Sequence, residues 1–177
     1  VEELKFDLIS QLDNMDRKDN VIVVIDSIGN LASKKEMEDT MNEKSVADMS
    51  RAKALKGLFR MTTPYLAMKN IPLLAVNHTY MEIGLFPKAI VGGGTGIYYS
   101  ADNIWIIGRR QNKTGTEVTG YDFVVNIEKS RYVKEKSKIP VTVSWEGGVE
   151  KYSGLLEVAL AAGYVGKPSN GWYCRVD

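Results

Sequence analysis

The run "VIVVID", Val21 to Asp26, constrains this chain more than any other stretch. Its β-branched residues follow one another without alternation. Such a run reads as a strand buried on both faces, the kind found in parallel sheets. A second run, "IPLLAVNH" (Ile71 to His78), has the same character. Between them, "VADMSRAKALKGLFRMTTPYLAMKN" carries Val46, Met49, Leu55, Leu58, Phe59, Thr62 and Leu66 at helical spacing. Ahead of the first strand, Leu4, Leu8, Leu12 and Met15 form another helical stripe. Pro64 near the end of the long helix predicts a kink. Helix, strand, helix, strand in this order predicts an α/β fold, a mainly parallel sheet flanked by helices.

The remainder reads differently. "SIGNLASKKEMEDTMNEKS" is polar and predicts a loop. "TYMEIGLFPKAIVGGGTG" shows no period, and loops of that length are usually functional. "IYYSA" predicts a short helix and "NIWIIG" a strand, with Trp105 in the core and Tyr98 and Tyr99 as packing residues. Arg109 to Thr119 reads as a polar turn region. "YDFVVNIEKS" and "KIPVTVSWEG" predict antiparallel strands, an extension to the parallel core. "SGLLEVALAAGY" predicts a helix ended by Gly163. The 177 residues suit one domain with one core. Val1 opens directly on a helical pattern and "NGWYCRVD" stops within a predicted strand, so the expectation is a piece cut at both ends.

The 23 Lys and Arg against 22 Asp and Glu give a net charge of +1, which excludes a global field toward nucleic acid or membrane. Any such contact must come from local patches. Cys174 is the only cysteine, so an intramolecular disulfide is excluded and a reducing, cytoplasmic setting is expected. No apolar run approaches the length of a membrane span.

Four stretches carry candidate chemistry. Asp26 ends a strand, and ligands of open parallel sheets bind outside those ends. It reads either as a Walker B carboxylate, holding Mg²⁺ through water beside a nucleotide, or as a cap on the next turn. Asn77 and His78 end the second strand, either as sensors of a γ-phosphate or as structural groups. The lone His78 has no partner spacing for a metal site. "GGGTG", Gly92 to Gly96, fails the G-x-x-x-x-G-K-[ST] pattern because Ile97 follows Gly96. Its glycines and the helix start after them suit either an anion or a hinge. "EKSRYVKEKSK" groups Lys129, Arg131, Lys134, Lys136 and Lys138, as a solvated turn or as cations aimed at phosphate.

These pieces, in one order, resemble the UvsX-type recombinases of tailed phages, within the RecA superfamily. "VIVVIDSIGNLASKKEMEDTMNEK", "RAKALKGLFRMTTPY", "VNHTY", "GGGTGIYYSAD", "IIGRRQ", "EKSRYVKEKSK" and "YSGLLEVALAAGYVGKPSNGWY" carry the likeness. The resemblance implies a RecA-like P-loop ATPase core that binds ATP and Mg²⁺ and polymerises on single-stranded DNA. It further implies strand exchange with double-stranded DNA, helical filaments, and mediator and single-strand-binding proteins as partners. Asp26 is then the Walker B residue with Ser27 its neighbour, and Asn77 and His78 stand where the γ-phosphate is sensed. His78 replaces the glutamine usual in cellular RecA proteins. Loop one falls within Ala32 to Ser45 and loop two within Tyr80 to Gly96. In loop two Ile83 is the candidate wedge between bases, beside Gly84 and Lys88. Gly92, Gly93, Gly94, Thr95 and Gly96 grip the DNA backbone. Lys129 and Arg131 match the cations directed at ATP on a neighbouring subunit.

No Walker A motif occurs in the sequence, nor an assignable water-activating glutamate. By itself the chain is expected to hydrolyse ATP poorly or not at all. Two other readings stay open: a replicative helicase-type motor on the same fold, and a non-catalytic module that binds DNA or a partner.

Overall fold

The computed structural model describes residues 1–43, 49–85 and 87–176. Val46 of the predicted long helix, Ser45 at the end of predicted loop one and Phe86 of predicted loop two lie outside the described residues. The chain divides into two compact units, Val1–Asp102 and Asn103–Asp177.

The first unit runs α1 (Glu2–Asn14), β1 (Val23–Ile25), a 3₁₀ turn (Ile28–Asn30), α2 (Lys34–Met41), α3 (Ser50–Lys69), β2 (Leu73–Ala75), β3 (Thr79–Met81), β4 (Ala89–Val91) and α4 (Thr95–Ser100). Strands β1 and β2 pair in parallel, Val23 opposite Leu73 and Ile25 opposite Ala75. One face of this pair joins Leu8, Leu12, Leu55, Leu58, Phe59 and Ile97 in the core. Each such side chain, fully buried, stabilises the fold by about 1.5–3 kcal/mol. The other face is open: Ile22, Val24, Leu74 and Val76 are 58%, 57%, 52% and 44% exposed. The expected burial on both faces therefore holds for one face only. Parallel pairing among the described residues is confined to this pair, and the other sheets are antiparallel. The mixed α/β content stands, and the described residues contribute one parallel pair to it.

The stretch read as a polar loop after Asp26 contains α2. Ser33 builds a capping box there: its hydroxyl accepts from Glu36 N–H at 3.1 Å, and the Glu36 carboxylate accepts from Ser33 N–H at 2.6 Å. Two orphan donors are thus satisfied, which suffices to start a helix with no buried stripe. Helix α3 runs unbroken through Pro64. Pro64 withholds a donor from the preceding turn. Just ahead of it, the hydroxyls of Thr62 and Thr63 donate to Leu58 O and Phe59 O at 3.0 and 2.7 Å. The helix stops at Asn70, whose left-handed φ of 56° ends the ladder.

The second unit holds β5 (Asn103–Thr114), β6 (Glu117–Ser130), β7 (Lys138–Ser144) and β8 (Gly148–Val149) in one antiparallel sheet of that order. Helix α5 (Leu155–Ala161) and the hairpin of β9 (Val165–Ser169) with β10 (Trp172–Arg175) follow. The predicted β6–β7 pairing is present, and α5 ends just ahead of Gly163. The predicted turn region at Arg109 to Thr119 shrinks to Gly115 and Thr116, because β5 and β6 pair out to Thr114 and Glu117. The backbone ladder carries this extension, and polar cross-strand contacts line it. Arg110 meets Asp122 at 3.3 Å, and the Arg109 guanidinium lies 4.6 Å from the Tyr121 ring centroid. Trp105, expected in the core, is 57% exposed. It sits on β5, which among the described residues is an edge strand paired only with β6.

Candidate functional site

The candidate site of the first unit gathers at the carboxyl ends of β1 and β2. The ladder continues beyond the strands: Val76 N–H donates to Ile25 O, and Ile28 N–H to Val76 O, both at 2.9 Å. Asp26 and Ser27 therefore run beside Val76 and Asn77. Asp26 is exposed, with its carboxylate available to a ligand. Ser27 is buried, and its Oγ has no hydrogen-bond partner among the described residues. A buried hydroxyl left unpaired is costly, and beside a strand-tip carboxylate it suits a polar ligand or its water shell.

Asn77 ties the strand tip to the glycine segment. Its Nδ2 donates to Gly92 O at 2.7 Å, its Oδ1 accepts from His78 N–H at 2.9 Å, and Gly92 N–H donates to His78 O at 2.9 Å. The His78 ring lies over Gly29: a Cβ at Gly29 would stand 2.7 Å from His78 Nε2. Gly29 is a glycine because the imidazole occupies that space.

Arg51, which the sequence reading missed, clamps the same segment from α3. Its Nη2 donates to Gly29 O at 2.6 Å and to Ile28 O at 3.2 Å. In sequence it is one of several cations in the first two turns of α3, with Lys53 and Lys56, and nothing there singles it out.

The stretch read as an aperiodic loop is a hairpin. Strands β3 and β4 pair antiparallel, Thr79 opposite Val91 and Met81 opposite Ala89, and Glu82 N–H donates to Lys88 O at 2.8 Å. Ile83 and Leu85 stand fully exposed at its tip, with Gly84 between them and Lys88 exposed beside it. The strand that runs into the glycines is the hairpin strand β4, not the parallel strand of a dinucleotide-binding unit.

The glycines divide their work. Gly93 and Gly94 take φ of 87° and 84°, which turns the chain from β4 into α4. Gly96 is buried, and a Cβ there would meet Lys56 Cβ at 2.7 Å, so it sets the contact of α4 with α3. Gly94 and Thr95 are exposed. Tyr99, expected to pack, is 72% exposed, edge-on to Tyr98 with ring centroids 6.0 Å apart.

Lys129 and Arg131 belong to the second unit. Lys129 lies in β6 opposite Ile104 and is half-buried; Arg131 follows the strand and is exposed. Among the described residues no cluster of three or more His, Cys, Asp or Glu forms a cage for a metal, and no helix is long and apolar enough to cross a membrane.

Over 175 residues the chain is 57% identical to the "Recombination and repair protein" of Enterobacteria phage T4, covering 99% of this chain and 45% of that protein. The similarity to this phage protein runs along nearly the whole of the chain. Residues 152–177 match the family model described as "Bacteriophage T4, Recombination and repair protein, C-terminal domain". More distant similarity extends to "Protein RecA" of Paracoccus denitrificans, 26% identical over 88% of this chain and 44% of that protein. It extends also to the "Mitochondrial DNA repair protein recA homolog" of Dictyostelium discoideum, 26% identical over 88% of this chain and 34% of that protein. The chain thus spans less than half the length of these relatives.

Proposed function

We propose that this chain is part of the core of an ATP-dependent recombinase that assembles on single-stranded DNA and exchanges strands with a homologous duplex. The observation that carries the reading is one junction. The strand tip bearing Asp26 is laddered to the strand from which the Ile83 hairpin rises. A nucleotide site and a DNA wedge need that adjacency if one is to govern the other. The identity with a phage recombination and repair protein supports the same reading.

In it, Asp26 holds Mg²⁺ through water, with Ser27 beside it. This fits a metal that keeps most of its waters and is bound through one or two carboxylates plus phosphates, without a protein cage. When bound, Mg²⁺ and ATP supply the phosphoryl group and the charge that neutralises its transfer. Asn77 and His78 contact the γ-phosphate side and hold the hairpin root. Ile83 enters between bases, an apolar wedge whose unstacking cost of a few kcal/mol is offset by contacts to the extended strand. Gly84 and Lys88 lie along that strand, with Gly94 and Thr95 the exposed members of the Gly92–Gly96 grip. Lys129 and Arg131 reach nucleotide on an adjacent copy, which links turnover to assembly. The parallel P-loop core, the filament and its mediator and single-strand-binding partners belong to this proposal.

The test is ATP hydrolysis by the protein carrying this chain, with and without single-stranded DNA, together with electron microscopy. Stimulated turnover and open helical filaments are expected. Closed rings would transfer the assignment to a helicase-type motor, and absence of any turnover to a binding module.

A further inference from the structure

Lys129 and Arg131 flank Ser130, the last residue of β6. The turn that follows is closed at its base: Ile127 N–H donates to Ser137 O at 2.9 Å and Lys136 N–H to Ile127 O at 2.7 Å. Among the described residues the β6–β7 pairing ends just short of this closure, at Asn126 opposite Lys138. Ser130 ties what lies beyond. Its Oγ donates to Asn103 Oδ1 at 2.7 Å and accepts from Tyr132 N–H at 3.1 Å and Val133 N–H at 3.2 Å. A serine hydroxyl has one proton and two lone pairs, so all three are in use. The Glu135 carboxylate accepts from Ser130 N–H at 3.4 Å, across the same turn. Glu128 is an extra residue on β6, because Trp105 faces Ile127 and the adjacent Ile104 faces Lys129. A bulge so placed re-aims the side chains beside it.

We propose that Ser130 is a positioning residue: it fixes the backbone from which Lys129 and Arg131 project, so that both cations meet nucleotide on the adjacent copy in one geometry. The inference rests on the reading of those two cations above and adds the group that sets them. Lysine and arginine side chains are long and flexible, so what the fold can fix is where they start. A misplacement near 1 Å can cost on the order of 100-fold in rate. Ser130 acts through its neighbours and not on phosphate, because its hydroxyl proton is already given to Asn103. Asn103, the first residue of β5, lies opposite Ser130 in the ladder and anchors the turn to the sheet.

The experiment measures ATP turnover by the protein carrying this chain, with single-stranded DNA present. Ser130→Ala removes all three hydroxyl bonds and should lower kcat about 10- to 100-fold with KM for ATP little changed, the pattern of an interaction made in the transition state. Ser130→Thr keeps the hydroxyl and should recover most of the loss. Mixing of variants supplies a readout that a merely structural role would not move. Ser130→Ala protomers keep a sound Asp26, and Asp26→Asn protomers keep soundly placed cations. Junctions between the two should therefore turn over, and the mixture should exceed the sum of its parts. An unchanged kcat in Ser130→Ala would overturn the proposal. So would a loss that mixing leaves unrepaired, which would place the damage within the altered protomer's own fold. Lys129→Ala and Arg131→Ala separate the two readings. If both turn over normally, the reading of the cations falls and the proposal with it; if they fail while Ser130→Ala does not, the proposal falls alone.

Discussion

Gly57 and Gly96 lie on the facing helices α3 and α4, and the same substitution at each should shift stability in opposite directions. In a helix interior, alanine in place of glycine gains about 0.8–1 kcal/mol from propensity alone. At Gly57 nothing lies within 4 Å of the added Cβ, so that gain should appear nearly whole. At Gly96 the added Cβ would meet Lys56 Cβ and Cγ at 2.7 Å and Lys56 Cα at 3.1 Å. These atoms are at or next to the main chain of α3 and cannot swing aside as the end of a long side chain would. Gly96 is the second residue of α4, where the interior propensity gain does not apply, and overpacking of this kind costs typically about 1–3 kcal/mol, so Gly96→Ala should come out destabilising by about that amount. Urea unfolding should follow the helical signal at 222 nm, with midpoints compared at constant slope. Tryptophan fluorescence is the wrong probe, because Trp105, Trp145 and Trp172 all belong to the second unit. A Gly96→Ala variant as stable as the parent, or more so, would refute the claim that α4 is seated on α3 through a missing Cβ.

Four further outcomes are expected. Asp26→Asn in the protein carrying this chain should abolish ATP turnover while leaving thermal stability within about 0.5 kcal/mol, since Asp26 is exposed; a steady-state assay decides it. Ile83→Ala should likewise leave stability unchanged, because a fully exposed side chain buries nothing, but should weaken single-stranded-DNA binding in an anisotropy titration. Arg51→Leu should loosen the turn after Asp26 by about 1.5–3 kcal/mol, the usual worth of a hydrogen bond to a charged group. Faster exchange of the Asn30 and Leu31 amides would report it. Asn77→Asp keeps the acceptor for His78 N–H but removes the donor to Gly92 O, so amide exchange at Gly92 and Glu82 should accelerate while α3 stays protected.

The parts of this fold that were legible in the sequence are those built by long apolar periodicity. The helical stripes gave α1 and α3, and the two short apolar runs gave the parallel pair. What escaped was structure held by other means. Helix α2 has no buried residue, so no stripe announces it; the signal was Ser33 with Glu36 three residues on, a capping box that a search for apolar period passes over. The β3–β4 hairpin consists of three-residue strands with Tyr80 and Met81 exposed, so no alternation between wet and dry faces marks it. The outer part of β5 is charged and exposed and is paired by its backbone, so no apolar alternation marks it, and contacts such as Arg110 with Asp122 are invisible until the register is known. At the candidate site the sequence could place Asp26, Asn77 and His78 at strand tips. Arg51 was missed for a related reason: it acts on backbone carbonyls, which have no sequence identity to match.

The same carbonyls and glycines make the strand tip and the hairpin root sterically dependent on each other. From Ile25 O a hydrogen bond leads to Val76 N–H, the chain continues to Asn77, and the Asn77 side-chain amide donates to Gly92 O. A second path runs from Gly29, whose missing side chain is occupied by the His78 ring, and His78 O in turn accepts from Gly92 N–H. Both paths end on Gly92, which leads through two glycines of positive φ into α4. A ligand that moves the Asp26–Gly29 segment must therefore carry His78 with it or lose the contact. His78 in turn cannot shift far without straining its bond to Gly92 at the base of the hairpin. Glycine is required at 29 by the ring and at 93 and 94 by the turn, so the glycines of this site mark where the parts bear on one another.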